Sequence, residues 1–192
     1  MKKRGVLLIT GLLTVFSAAA QTMGVKTNFV GDALLSPNIS VEFGLDTHWT
    51  LDASYQANFW DLGGSKWKHW ALQPEARYWF CERFAGHFIG AHAIGGEYNF
   101  GGIRNNFHFL GNDFSVLSDR RSQGWAAGAG LAYGYARVLG MHWNLEAELG
   151  IGWIYTRYGA YPCAECGDPI ELGTPYNYFG LTKLALNLVY LF

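Results

Sequence analysis

The run "HWNLEAELGIGWIY" at residues 142–155 limits what this chain can fold into more than any other stretch. Its alternate residues separate by polarity. Trp143, Leu145, Ala147, Leu149, Ile151, Trp153 and Tyr155 form one set, opposed by Asn144, Glu146, Glu148, Gly150 and Gly152. A helix would scatter both sets around its circumference, whereas a strand sends successive side chains to opposite faces. "HWTLDASYQANFW" repeats the pattern, with Trp49, Leu51, Ala53, Tyr55, Ala57 and Phe59 against Thr50, Asp52, Ser54, Gln56 and Asn58. "QGWAAGAGLAYGYA" sets Trp125, Leu131, Tyr133 and Tyr135 against glycines and alanines, and the closing "KLALNLVYLF" alternates in the same way.

The length of these alternations sets the fold class. Strands of soluble proteins run to about five or six residues, while a tilted strand needs roughly 9–11 to cross a bilayer. Aromatics make up 17% of the chain, beside 25 glycines. They gather toward strand ends, as Trp49 and Phe59 or Trp143 and Tyr155 do, where the interfacial girdles of an outer-membrane barrel lie. Small residues on the opposite face leave room inside a narrow barrel. A soluble lipocalin-like barrel would need the apolar face inward, and the acidic and small-residue faces could not pack around so many Trp and Tyr.

Eight antiparallel strands are predicted, over roughly residues 23–31, 37–45, 48–60, 68–81, 84–99, 123–138, 142–158 and 177–192. The connections 44–47, 82–83 and 139–141 are tight, while 32–36, 61–67, 100–122 and 159–176 are longer. Short turns at one end and long loops at the other is the outer-membrane pattern, the short turns being periplasmic. The opening "MKKRGVLLITGLLTVFSAAAQT" has a basic start, an apolar run and small residues before Gln21, as a signal peptide has. A leader over residues 1–20, cleaved between Ala20 and Gln21, is therefore expected, followed by one barrel domain over 21–192 in the outer membrane. Losing Lys2, Lys3 and Arg4 from 14 basic residues leaves 11 against 15 acidic ones, a formal charge of −4. No basic block is visible, which argues against nucleic-acid binding. The last residue, Phe192, closes an amphipathic strand, a signal of the kind that outer-membrane assembly machinery reads.

Several stretches resemble the DUF3575 family of small barrel proteins of unknown function from Bacteroidota. They are "KTNFVGDALLSPNISVEFGLDTHWTLD", "KWKHWALQPEARYWFCERFAGHFIGAHA", "GWAAGAGLAYGYARVLGMHWNLEAELGIGWIY", "YPCAECG" and "YFGLTKLALNLVYLF". The resemblance implies a Gram-negative outer membrane and a fimbrial or surface-assembly partner. It implies no catalytic residue and no cofactor.

Glu42, Asp52, Glu75, Arg77, Glu146, Glu148 and Lys183 all fall opposite the apolar stripe. An Arg or Lys facing lipid near the midplane costs about 2–4 kcal/mol, so these side chains are expected in the lumen. There they form either a packed network that plugs a barrel just wide enough to be filled, or an ion path through a narrow channel. Of the histidines, His48, His69 and His142 precede Trp and suit interfacial positions, while His87 and His92 face opposite sides of one strand. The 100–122 loop mixes Arg104, Arg120 and Arg121 with Phe107, Phe109 and Phe114, which suits contact with lipopolysaccharide phosphates or a surface protein, or a self-packed cap. It also carries His108, Asp113, Ser115, Ser118 and Asp119, the footing for an alternative reading as a lipid A-modifying enzyme.

Cys163 and Cys166 sit at C-x-x-C spacing in the last outward loop, with Cys81 beside a periplasmic turn at the other end. Two cysteines without a nearby His make only half a zinc site, and no helix start is present for a redox motif. A local disulfide between Cys163 and Cys166 is expected outside the cell. The leading expectation is a barrel with a structural or surface-interaction role, its loops 100–122 and 159–176 forming the recognition surface.

Overall fold

The computed structural model describes residues 22–62, 65–102, 108–109, 112–113, 120–163 and 165–192. The predicted leader and most of the 100–122 loop lie outside these residues. Eight strands form one ring: β1 (Met23–Asn28), β2 (Asn38–Gly44), β3 (Trp49–Asn58), β4 (Ser65–Trp79), β5 (Gly86–Gly101), β6 (Arg121–Val138), β7 (Trp143–Tyr161) and β8 (Glu171–Leu191). Each pairs antiparallel with its sequence neighbours, and β8 closes the ring on β1. A short helix, α1 (Phe29–Ala33), follows β1. The chain is therefore an up-and-down barrel of outer-membrane type. No helix among the described residues is long and apolar enough to cross a membrane.

Closure can be followed residue by residue. From Leu191 the paired positions run through Gly24, Glu42, Asp52, Glu75, His92, Gly130 and Gly152, and return to β8 at Gly180. The circuit ends 191 − 180 = 11 residues away from its start, and one of those residues is the bulge between Leu181 and Lys183. The stagger is thus 10. With strands rising ~3.3 Å per residue and spaced ~4.8 Å apart, eight strands and that stagger give a tilt of roughly 40°.

Burial follows the sequence alternation. Trp49, Leu51, Leu131, Tyr133, Leu149, Ile151 and Trp153 are exposed on the outside, while Thr50, Asp52, Asn144, Glu146 and Glu148 are buried inside. Aromatic girdles mark both ends of the apolar band. At the short-turn end Trp49 packs on Tyr78 (5.2 Å between centroids), Trp143 on Tyr190 (5.0 Å) and Tyr190 on Phe192 (4.9 Å). At the other end Trp125 meets Tyr155 (5.7 Å), and the Trp153 indole donates to Asn177 Oδ1 (3.0 Å). His48 and His142 stack on Tyr78 and Tyr190 in the lower girdle. His69 does not belong to a girdle. Its strand turns the odd-numbered residues inward, so the ring lies half-buried between Trp67 and Phe100.

The short-turn end of the lumen is closed by apolar side chains. Trp79 and Phe88 are fully buried with ring centroids 4.5 Å apart, and the Trp79 indole donates to Thr50 Oγ1 (2.9 Å). Phe84 joins them from the β4–β5 turn, packed with Val189 and Leu191. Its backbone takes a left-handed φ of 65°, unfavourable for an aromatic residue, and Asn144 Nδ2 donates to its carbonyl (2.6 Å). Gly134 leaves the space Phe88 needs, since a Cβ there would fall on the Phe88 ring. In the β2–β3 turn the His48 and Trp49 amides donate to Asp46 (2.7 and 2.9 Å) and hold its carboxyl below the usual carboxylate range.

Several strand limits differ from the sequence reading. β1 stops at Asn28, three residues early, because Asn28 caps α1 through the Val30 amide (3.0 Å). β4 to β8 all run further outward than predicted, so half of the 159–176 loop is ladder and its turn shrinks to 162–170. Above the apolar band no face is held to lipid, so alternation no longer reports the strand. Gly173, with φ of 70°, and Pro175 further disguise the start of β8. The predicted 61–67 loop also narrows, since Asp61 and Leu62 pair with Lys66 and Ser65.

Replacing Trp79 by Ala removes the largest buried side chain of the lower plug and is expected to cost about 3–5 kcal/mol. Urea unfolding in lipid vesicles measures it, and an unchanged midpoint would contradict this account of the plug.

Candidate functional site

The pairing register itself creates the site. Glu42 faces Asp52, and Asp52 faces Glu75, so three carboxylates stand side by side on β2, β3 and β4. Like charges directly opposite one another are destabilising, and all three side chains point into the lumen. β7 adds Glu146 and Glu148 from the facing wall, two residues apart and on the same face.

Arg77, fully buried, sits among these five acids. Its Nε donates to Glu75 Oε1 (2.6 Å), its Nη1 to Glu42 Oε2 (3.1 Å) and Glu146 Oε1 (3.2 Å), and its Nη2 to Glu148 Oε2 (2.7 Å). Asp52 Oδ2 lies 3.7 Å from Nη2. The planar fork, with five donors, suits this task in a way that a single ammonium would not. The guanidinium also lies 4.7 Å over the Phe88 ring, joining the charged layer to the apolar plug below. Gly90 makes room for Glu75, because a Cβ there would meet the carboxylate.

Two lysines complete the layer. Lys183 Nζ lies 2.7 Å from Glu75 Oε2 and 3.2 Å from Glu148 Oε1. Lys26 pairs with Glu42, with Glu146 Oε2 (3.1 Å) and with Asp52 Oδ1 (3.5 Å). Neutral donors take further lone pairs. Ser40 Oγ donates to Asp52 (2.6 Å), Asn187 Nδ2 to Glu146 (2.7 Å) and the Thr50 hydroxyl to Glu42. His92 borders the layer, its Nε2 2.9 Å from Thr182 Oγ1 and its Nδ1 3.5 Å from Glu75 Oε2. All seven lumen residues singled out from the sequence thus come together. Lys26 and His92 join them without having been singled out. Lys26 was readable as opposite Met23 and Val25, but six residues of β1 are a weak signal; His92 was readable only as facing away from His87.

The layer thus sets five acidic side chains against three basic ones, Lys26, Arg77 and Lys183. Among the described residues, no group of three or more His, Cys, Asp or Glu has metal-binding geometry.

At the outward end, Cys163 and Cys166 form a disulfide with Cα atoms 5.2 Å apart. Cys81 is a free, exposed thiol near the opposite rim. Arg121 ties the disulfide turn to the start of β6: its Nη2 donates to the Cys166 carbonyl (3.0 Å), and its guanidinium lies 3.9 Å over the Tyr161 ring. Arg120 beside it is exposed. Arg104, Phe107, Phe114, Ser115, Ser118 and Asp119 lie outside the described residues. Phe109 lies on a two-residue strand pair in which the backbone sets it opposite Asn112, and His108 opposite Asp113.

A family model described as "Protein of unknown function (DUF3575)" matches residues 6–192. No curated protein matches the chain. Among solved structures, a crystal structure of Neisserial surface protein A is similar at 16% identity and a TM-score of 0.46, over 91% of this chain and 99% of that one.

Removing one partner from a buried charge network costs about 3–5 kcal/mol, so Arg77→Ala is expected to lower the folded fraction sharply while Arg77→Lys retains part of it. Heat-modifiable gel migration with urea unfolding reads both, and wild-type stability in Arg77→Ala would refute the central place given to Arg77.

Proposed function

The chain belongs to the DUF3575 family, and we propose that it is a small outer-membrane barrel with a structural or surface-interaction role. On this reading the ring is a rigid mount and its outward rim is the working surface. The observation that carries the proposal is the division of labour within the molecule. Inside, the charged groups are spent on one another around Arg77; outside, Arg121 fastens the disulfide turn to β6 and Tyr161.

That link favours recognition because it pre-orders the surface. A disulfide-closed turn held by a charge-assisted hydrogen bond and a cation–π contact loses little freedom when a partner docks. Arg120 on the same rim, with Arg104, Phe107 and Phe109 along the adjoining loop, supplies cationic and aromatic groups of the kind enriched at interface hot spots. A surface or fimbrial protein, or the phosphates of lipopolysaccharide, would suit such a rim. The apolar outer belt and its two girdles support placement in lipid, with the short turns facing the periplasm.

One observation favours a second reading as a lipid-modifying enzyme: the backbone pairing that sets His108 opposite Asp113 on the outward side. Lipid A from cells with and without the protein separates the two. An unchanged acyl pattern on mass spectrometry is expected, and a changed one would move the function to catalysis.

Surface crosslinking on intact cells tests the first reading. A barrel with residues 103–119 excised and Arg120 and Arg121 both replaced by Ser is expected to assemble normally and lose at least tenfold of its crosslinked partner. Undiminished crosslinking would overturn the role given to the rim.

A further inference from the structure

The wall of the barrel is not equally tall all round. From β1 to β8 the strands contain 6, 7, 10, 15, 16, 18, 19 and 21 residues, so the wall climbs around the ring and drops at the β8–β1 seam. β8 pairs with β7 from Glu171 onward, but β1 meets it only along Asn187–Leu191. The shortfall falls within the apolar band, because Phe179, Leu184 and Leu186 still face outward there and are exposed.

Backbone N–H and C=O groups cannot stay unpaired in hydrocarbon, and non-helical backbone is tolerated there only beside protein or a water-filled cavity. At the seam, side chains replace the missing strand. Asn28 donates to the Leu184 carbonyl (3.1 Å) and accepts from the Leu186 amide (3.0 Å). Further up, Gln73 reaches across the lumen to the Thr182 carbonyl (3.4 Å), and the Tyr178 hydroxyl donates to the Leu181 carbonyl (3.3 Å). Beside the gap lies α1, which with the turn after it exposes Phe29, Leu34 and Leu35. Asp32 is exposed in the same place, accepting from Thr27 Oγ1 (2.9 Å) and Asn38 Nδ2 (3.0 Å). An exposed carboxylate at this height is costly if it meets only acyl chains.

Directly inside the seam lies a cavity of about 160 Å³. Its floor is the charged layer, through Lys26, Asp52 and Lys183, and its walls carry Ser54, Gln56 and Gln73. Tyr55 and Leu184, which face outward, also border it, so the cavity lies directly against the wall at the seam. We infer that this seam is a lateral binding site for a single-chain amphiphile. The tail lies along Leu184, Leu34, Leu35 and Phe29 in the membrane, and the polar head enters the cavity between β8 and β3. Charge chooses the head. Lys26 and Lys183, the cations that border the cavity, are already held by Glu42, Asp52 and Glu146 and by Glu75 and Glu148. With Asp32 at the mouth, a carboxylate or phosphate head meets no unpaired cation among the lining residues, whereas an ammonium can donate to Asp52 and to the side-chain oxygens of Ser54, Gln56 and Gln73.

The test uses the full-length barrel in detergent, titrated with hexadecylamine and hexadecanoic acid and read by native mass spectrometry after release from micelles. One retained amine per barrel is expected, with at least tenfold weaker retention of the acid. Ser54→Trp, which fills the cavity, is expected to abolish amine retention, whereas Ala147→Trp, on the outer face of β7, keeps it. Gln56→Trp serves in place of Ser54→Trp should that variant fail the heat-modifiability check for folding. Equal retention of both heads, retention unaffected by filling the cavity, or no retained amine would overturn the inference. None of these results depends on the outward rim binding a partner.

Discussion

The guanidinium of Arg77 is the interaction on which this barrel depends. Once β2, β3 and β4 pair in register, Glu42, Asp52 and Glu75 are adjacent on one face, and β7 brings two more acids toward them. Five carboxylates cannot share so small a space without a cation among them. Arg77 makes close contacts with all five, and its position over Phe88 ties the charge layer to the apolar plug beneath. Such a network is weak evidence of net stability, because desolvating the ions offsets most of the attraction. Its stronger effect is on register. A slip of one residue in any of these strands would turn buried charge toward lipid, at about 2–4 kcal/mol for each Arg or Lys near the midplane.

The same ring explains both the rigidity of one side and the opening of the other. A stagger of 10 over eight strands makes a narrow, steeply tilted cylinder that side chains can fill, and here they do so in two layers, apolar below and charged above. The tall strands β4 to β8 pair along most of their length and carry the outward rim, where Arg121 and the Cys163–Cys166 disulfide shape a surface. The short strands β1 and β2 leave the seam, which Asn28, Gln73 and Tyr178 patch with side chains. The rim and the seam are therefore separate features of one asymmetric wall.

Much of this was legible in the sequence, and the residues that were not share physical reasons. The eight strands and their inward faces follow from alternation wherever one face meets lipid. Beyond the lipid the constraint disappears, so the outer ends of β7 and β8, with Gly159, Gly173 and Pro175, read as loop although they pair. Lys26 lies on a strand of six residues, too short for its alternation to stand out beside "TNFVGDALL". The inward turn of His69 was masked by its neighbour Trp70, which does occupy the interface. Phe84 could not be foreseen as a plug: its left-handed backbone and the hydrogen bond to its carbonyl from Asn144 are tertiary facts with no local signal. The disulfide was foreseen because compartment and spacing suffice to bring two cysteines together.

The Arg77 layer and the Trp79–Phe88 plug close the lumen. Single-channel recording from purified wild-type protein in planar bilayers tests this closure most directly. A closed lumen leaves the bilayer without stable open-channel current, and sustained unitary conductance from the wild-type barrel would show that the lumen is open.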